Sequence, residues 1–257
     1  MFGFLKLENK PKAVAFVDYD YWFFSSVSRW GIRPNVSAWR KELEKRFRLT
    51  KVVFFADFSV ERIRDEIDYL ESLADEVIDI QNVKARKNKD ITDFLMLDRL
   101  YQTAHTEKRI LNYVLFTGDS LFRSAVSFLA KNLKKRVVCY GVNGSFSSAL
   151  RDAASEVIEL PTEEEVYLQY REYIIENLAY CVDHSWIVPT FSSTVDAVCK
   201  KRNLQIRPVK AVLARMLEEG YLYQRSHSFG VNRRTKVICA DWDRLISEGL
   251  FTPYGDA

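Results

Sequence analysis

Aspartates close three apolar runs in this chain, and any reading of its chemistry starts from them. Lys12-Ala-Val-Ala-Phe-Val-Asp18, Lys51-Val-Val-Phe-Phe-Ala-Asp57 and Tyr113-Val-Leu-Phe-Thr117-Gly118-Asp119-Ser120 each deliver a carboxylate at or just past the end of a β-prone stretch. A helical pattern after the basic loop Lys84-Ala-Arg-Lys-Asn-Lys89 adds Asp90, Asp93 and Asp98. Carboxylate oxygens without histidine or cysteine suit Mg2+ or Mn2+. Such a cation can activate water and stabilise the charge of an in-line phosphoryl displacement. Each acid also has a plainer use: Asp119 or Ser120 can cap the next helix, and Asp90 and Asp93 sit in a first turn where the helix dipole favours anions. Asp98 tips the balance towards a shared site. At ~100° per residue it lies near the direction of Ile91, Phe94 and Leu95, on an apolar stripe where an unpaired charge is costly.

The elements needed to position these groups are legible. Strand-like runs at 12–18, 51–58, 77–83, 113–117, 135–141 and 157–160 alternate with helical patterns. That rhythm predicts an α/β fold, a Rossmann-like and mostly parallel sheet covered on both faces. Ligands of such sheets bind outside the carboxyl ends of the strands, where strand order reverses. At Pro161 the rhythm changes, so the expected division is residues 1–160 and residues 161–257. Thr162 followed by three glutamates starts a helix running to about Tyr180. Helices near 192–201 and 207–219 and the strand-like runs Tyr221–Arg225 and Thr235–Ala240 complete the pattern of a winged helix.

Charge is unevenly spread. The chain has 257 residues and a net charge of only +3. Yet from Cys199 to Lys236 the basic residues Lys200, Lys201, Arg202, Arg207, Lys210, Arg215, Arg225, Arg233, Arg234 and Lys236 stand against only Glu218 and Glu219. Arg207 and Lys210 open the presumed recognition helix, and Arg233, Arg234 and Lys236 belong to the wing. This is the footprint expected of phosphate contact, with a solvated face or a protein-docking winged helix as the alternatives. The amino terminus is too short and weakly apolar for a signal peptide, and no window could span a bilayer. Cys139, Cys181, Cys199 and Cys239 are scattered and the three histidines do not cluster, so a zinc site is not expected. A reduced, cytoplasmic protein that does not engage membranes is the expectation.

The segments Val14-Ala-Phe-Val-Asp18, Lys89-Asp90-Ile-Thr-Asp93-Phe-Leu-Met-Leu-Asp98, Phe116-Thr-Gly-Asp119-Ser-Leu-Phe122 and Lys135-Arg-Val-Val-Cys-Tyr-Gly141 together resemble the NYN domain, a branch of the PIN-like metal-dependent ribonucleases. The resemblance spans roughly residues 10–160. It implies a Rossmann-like sheet with an Mg2+- or Mn2+-binding acidic cluster at the strand ends. By that resemblance Asp18 and Asp119 are metal ligands, Asp93 or Asp90 is the helical acid, and Asp98 supports them. Two positions depart from the family pattern: Tyr21 stands where asparagine is usual, and Leu121 where a second aspartate is usual. Asp57 matches no family position and reads as structural.

The resulting expectation is metal-dependent endonucleolytic cleavage of RNA, with Asp18, Asp93 and Asp119 as the catalytic carboxylates. Thr117, Ser120 and Lys89 would orient ligand or phosphate, and the basic carboxyl-terminal domain would hold substrate. RNA is preferred to DNA by the resemblance alone. The rivals are a regulator that binds nucleic acid without cutting it, and an adaptor whose winged helix docks proteins or forms a homodimer.

Overall fold

A computed structural model describes residues 10–80, 91–229 and 233–253. Contacts divide the chain into two compact units, one of residues 1–28 and 33–160, the other of residues 29–32 and 161–257.

The first unit runs β1 (Lys12–Asp18), α1 (Tyr19–Trp30), α2 (Val36–Arg46), β2 (Arg48–Ala56), α3 (Glu61–Arg64), α4 (Ile67–Leu73), β3 (Glu76–Asp79), α5 (Ile91–Thr106), β4 (Asn112–Phe116), a 3-10 turn (Ser120–Phe122), α6 (Arg123–Ser127), a π turn (Phe128–Asn132), β5 (Arg136–Val142), α7 (Ser148–Arg151) and β6 (Glu156–Leu160). Its six strands lie in the order β3-β2-β1-β4-β5-β6, and every neighbouring pair is parallel. The expected α/β sheet is therefore present, and strand order reverses between β1 and β4.

Both faces of the sheet are covered, which is why its central strands read as unbroken apolar runs. One face packs Val14, Phe16, Val53, Tyr113 and Leu115 against Met96 and Leu100 of α5 and Val126 of α6. The other face is aromatic. Trp22 of α1 stacks on Phe116 at 4.0 Å, and Trp39 of α2 meets Phe54, Phe116 and Tyr140 edge-on. The segment Tyr19–Phe24 thus serves as a helix that buries Tyr19, Trp22, Phe23 and Ser26 along one stripe. Ile63, Ile67, Leu70 and Leu73, spaced as along one amphipathic helix, fall in the two short helices α3 and α4.

The second unit contains α8 (Glu163–Asp183), α9 (Phe191–Arg202), α10 (Ile206–Glu218), the antiparallel pair β7 (Leu222–Phe229) and β8 (Arg233–Ala240), and a short helix α11 (Trp242–Ser247). Thr162 and Glu165 form a reciprocal capping box at the start of α8. Asn203, at φ 52°, turns the chain from α9 into α10. Tyr170, Ile174, Val195, Val209, Leu213 and Met216 supply its core. No helix among the described residues is long and apolar enough to cross a membrane.

A candidate acidic centre at the strand ends

The reversal point places β1 beside β4, so the residues ending these strands meet at one crevice. Asp18 is the last residue of β1 and only 8 % exposed. Its Oδ1 accepts the backbone N–H of Tyr21 at 2.9 Å. Burial pushes its carboxyl up to about 7; that N–H opposes the shift, and the charges of Asp20, Asp93 and Asp119 add to it. Asp18, Asp93 and Asp119 therefore occupy one electrostatic neighbourhood. Asp119 follows β4 by three residues and lies exposed. Its Oδ1 caps the 3-10 turn by accepting the N–H of Leu121 at 2.8 Å, so the capping role is real. The second oxygens of Asp18 and Asp119 have no hydrogen-bond partner among the described residues.

The third acid comes from α5, and here the helix phase corrects the sequence reading. The buried stripe is Met96, Leu100 and Ala104, and Asp93 shares it at i, i+3 and i+7. Asp98 instead faces solvent and accepts a hydrogen bond from Gln102 at 2.8 Å. Phe94, placed on the apolar stripe from sequence, is 67 % exposed. Apolar residues surround α5 on all sides, so the sequence alone misjudged which arc meets the sheet. Asp90 and Lys89, with the rest of the 84–89 loop, lie outside the described residues.

Thr117 is 0 % exposed, so its hydroxyl cannot reach a phosphate; it accepts the N–H of Asp119 at 3.3 Å and fixes that turn. Ser120 is exposed and makes a long 3.5 Å contact to Asp119. Tyr21 packs on Gly118, beside the turn that carries Asp119. A Cβ on Gly118 would meet its hydroxyl at 2.3 Å, so only glycine fits there. The same hydroxyl accepts the N–H of Val142 at 2.9 Å and pairs with Ser145 Oγ at 3.0 Å, tying α1 to the loop after β5. Leu121 is 53 % exposed.

A second acid group, missed from sequence, lies towards β2 and β3. Asp20 accepts the N–H of Asp57 with both oxygens, at 3.2 and 3.1 Å. Burial raises its carboxyl to about 6, with Asp57 and Asp79 adding to the rise. Asp57 accepts both the N–H and the hydroxyl of Ser59. Only the spacing Asp18-Tyr-Asp20, two acids at a strand end, could have signalled it.

All-carboxylate chemistry fits a hard divalent cation. Among the described residues, however, no three acidic, histidine or cysteine side chains stand close enough to enclose one. Asp119 would have to relax its cap, or the carboxylates draw together, for an ion to be held.

In the second unit, Arg207, Lys210, Arg234 and Lys236 are exposed and enter no ion pair among the described residues. Arg207 and Lys210 share the face of α10 opposite the buried Val209, Leu213 and Met216. Arg202 and Arg215 are otherwise engaged, with Glu176 at 2.5 Å, and with Glu164 and Glu219 at 2.9 and 2.8 Å. Arg233 opens β8. The four cysteines are free thiols, and burial lifts that of Cys139 to about 12.

No curated protein matches the chain. Among solved structures, a protein of unknown function from Vibrio parahaemolyticus is similar at a TM-score of 0.49 and 16% identity, covering 60% of this chain and 95% of that one. The NYN domain family matches residues 12–161, from the first residue of β1 to just past the end of β6. On that match, which spans more than half its length, the chain belongs to the NYN domain family.

Proposed function

We propose that this protein is a divalent-metal-dependent endoribonuclease with two domains, a NYN domain ending near residue 160 and a winged-helix-like domain from residue 161 that holds the substrate. The NYN family is generally nuclease-like and typically depends on a divalent metal. The observation that carries the proposal is the set of Asp18, Asp93 and Asp119 at the β1/β4 reversal, where Asp18 and Asp119 each keep one oxygen without a hydrogen-bond partner among the described residues.

When bound, Mg2+ or Mn2+ would supply charge stabilisation and a more acidic water for phosphoryl displacement. The chain's own residues do the rest. Asp18, Asp93 and Asp119 would hold the cation, Asp18 in its deprotonated form, and Asp93 is set by the buried stripe of α5. Thr117 and Gly118 fix the turn that presents Asp119. Tyr21 packs on Gly118 and ties that turn to the loop after β5. Arg207, Lys210, Arg234 and Lys236 provide sequence-independent phosphate contacts.

The test is cleavage of single-stranded RNA by the full chain in Mn2+, with Asp119→Asn as control; equal rates for both proteins would assign the activity to a contaminant. A second reading, a nucleic-acid binder that does not cut, is favoured by Leu121 in an acid position and by the open spacing of the described carboxylates. Under either reading, replacing Arg207, Lys210 and Arg234 by alanine should weaken RNA binding and flatten its dependence on salt by roughly three phosphate contacts. Binding that ignores both salt and these substitutions would favour a protein-docking role for the second domain.

A further inference from the structure

Where α8 ends, the second unit leaves a set of aromatic rings in water. The helix closes at Asp183 and the chain turns at once, the Ile187 N–H donating to the His184 carbonyl at 2.8 Å. Trp186 sits at the tip of that turn and is 76 % exposed. Turn tips are ordinarily polar, so an indole there, among other exposed apolar groups, marks a contact surface.

Its neighbours order the rings. His184 Nδ1–H donates to the Tyr180 carbonyl, four residues back, at 2.8 Å. That bond lays the imidazole on the Tyr180 ring, at 3.9 Å and 21°. Trp186 meets the same imidazole edge-on at 4.9 Å. Tyr180 is itself half exposed. A helix end and a closed turn thus fix the rings before any partner arrives, which lowers the entropy lost on binding.

A groove of about 330 Å3 lies alongside, between the end of α8, the 185–189 segment and the β7–β8 ribbon. Ser185 and Ile187, on either side of Trp186, both line it, so the indole stands at its rim. Tyr223 and Arg225 of β7 line it too. Two residues apart on one strand, they share a face of the ribbon at a spacing of about 7 Å. Leu222, Ile238 and Ala240 take the opposite face into the core. Tyr223 is half exposed, and Arg225 is exposed and enters no ion pair among the described residues. No aspartate or glutamate lines the groove among the described residues.

We propose that this surface stacks the unpaired bases of a single-stranded RNA, Trp186 and Tyr223 each taking the flat face of one base and Arg225 an adjoining phosphate. The proposal rests on the reading of RNA as substrate and adds where, and in what form, the strand is held. Exposed ring faces beside an unpaired arginine fit a chain of alternating bases and phosphates. A duplex hides the base faces that such a surface needs. An apolar peptide laid in the groove would bury Arg225 without a counter-charge, which is costly.

The experiment measures binding of the full chain to a labelled RNA of mixed sequence by fluorescence anisotropy, in EDTA so that the strand stays intact. The same RNA annealed to its complement is the second probe. The expected result is tighter binding of the single strand. Trp186→Ala and Tyr223→Ala should each weaken it about fivefold or more, the lower end of what one base–aromatic stack contributes, with the salt slope unchanged. Trp186→Phe keeps a ring and should keep most of the affinity. Arg225→Ala should flatten the salt slope by about 0.7, one phosphate contact on a single strand. Parental affinity in both alanine variants of the aromatics, or a preference for the duplex, overturns the proposal and leaves the RNA reading standing, with the surface assigned to a protein partner. Absence of RNA binding by the parent chain overturns both.

Discussion

Two groups of carboxylates sit at neighbouring strand ends of one sheet, and the clearest contrast between them is that of Asp18 with Asp20. At Asp20 the fold uses both oxygens, which share the N–H of Asp57, and one oxygen of Asp57 takes two donors from Ser59. Around Asp18, Asp93 and Asp119 one oxygen of Asp18 and one of Asp119 accept hydrogen bonds, and the other has no hydrogen-bond partner among the described residues. A carboxylate wholly engaged by backbone donors holds a turn. One that is buried, crowded by like charge and half unclaimed costs stability unless a cation joins it. Both groups raise a carboxyl through burial, Asp18 to about 7 and Asp20 to about 6, so the shift alone would not tell them apart.

The largest expected difference is catalytic. Asp18→Asn and Asp119→Asn should each lower the rate of Mn2+-supported RNA cleavage by about a hundredfold or more, the scale of removing one preorganised charge-stabilising group. Asp57→Asn should stay within a few-fold of the parent. Initial rates on one RNA for the four proteins decide it; similar losses for Asp57→Asn and Asp119→Asn would merge the two groups into one site.

Next in size is a pH effect in the metal-free protein. The unfolded chain releases the Asp18 proton near the ordinary value of 3.8, while the native state keeps it up to about 7. Between those values the native state binds more protons, so this group lowers stability as pH rises through the window and adds nothing further above it. The full cost is at most about 4 kcal/mol. Asp18→Asn removes it, so denaturant melts in EDTA should show the variant gaining on the parent as pH goes from 4 to 8. A constant difference across that range would mean that Asp18 is not held protonated.

A cation should then stabilise the parent where it was weakest. At a hundred times its dissociation constant, Mn2+ should add about 2.7 kcal/mol to the parent and little to Asp119→Asn. Thermal melting across a Mn2+ titration at fixed ionic strength reads this directly. Equal gains for the two proteins would leave the open oxygens without a ligand and favour the non-cutting binder.

Much of this contrast was legible in the residues, and the part that was not has physical causes. The strands declared themselves because a parallel sheet covered on both faces leaves continuous apolar runs. Asp18 and Asp119 followed from the rule that ligands meet such sheets at the strand ends. Asp98 was misplaced on the buried stripe because α5 carries Ile91, Phe94, Leu95, Met96, Leu97 and Tyr101 around nearly its whole circumference. Only packing against the sheet could choose the buried arc. The pairing of Arg202 and Arg215 with Glu176 and Glu164 was hidden by sequence distance.

The smallest effect is the sharpest test of the structural group. Asp57 works through the acceptor geometry of one oxygen, which receives the Ser59 N–H at 3.0 Å and the Ser59 hydroxyl. Asparagine keeps an acceptor oxygen and drops the charge, so Asp57→Asn preserves the turn and relieves the repulsion felt by Asp20. Its stability should match or slightly exceed that of the parent. Alanine removes the acceptor, so Asp57→Ala should cost about 1 kcal/mol, the usual net worth of such a hydrogen bond. The order Asn at or above Asp, and Asp above Ala, belongs to a turn; a ligand-holding acid would lose Mn2+ stabilisation in both variants alike. Denaturant melts of the three proteins, with and without Mn2+, separate the cases, and a loss of the Mn2+ gain in Asp57→Asn would move Asp57 into the metal-binding group.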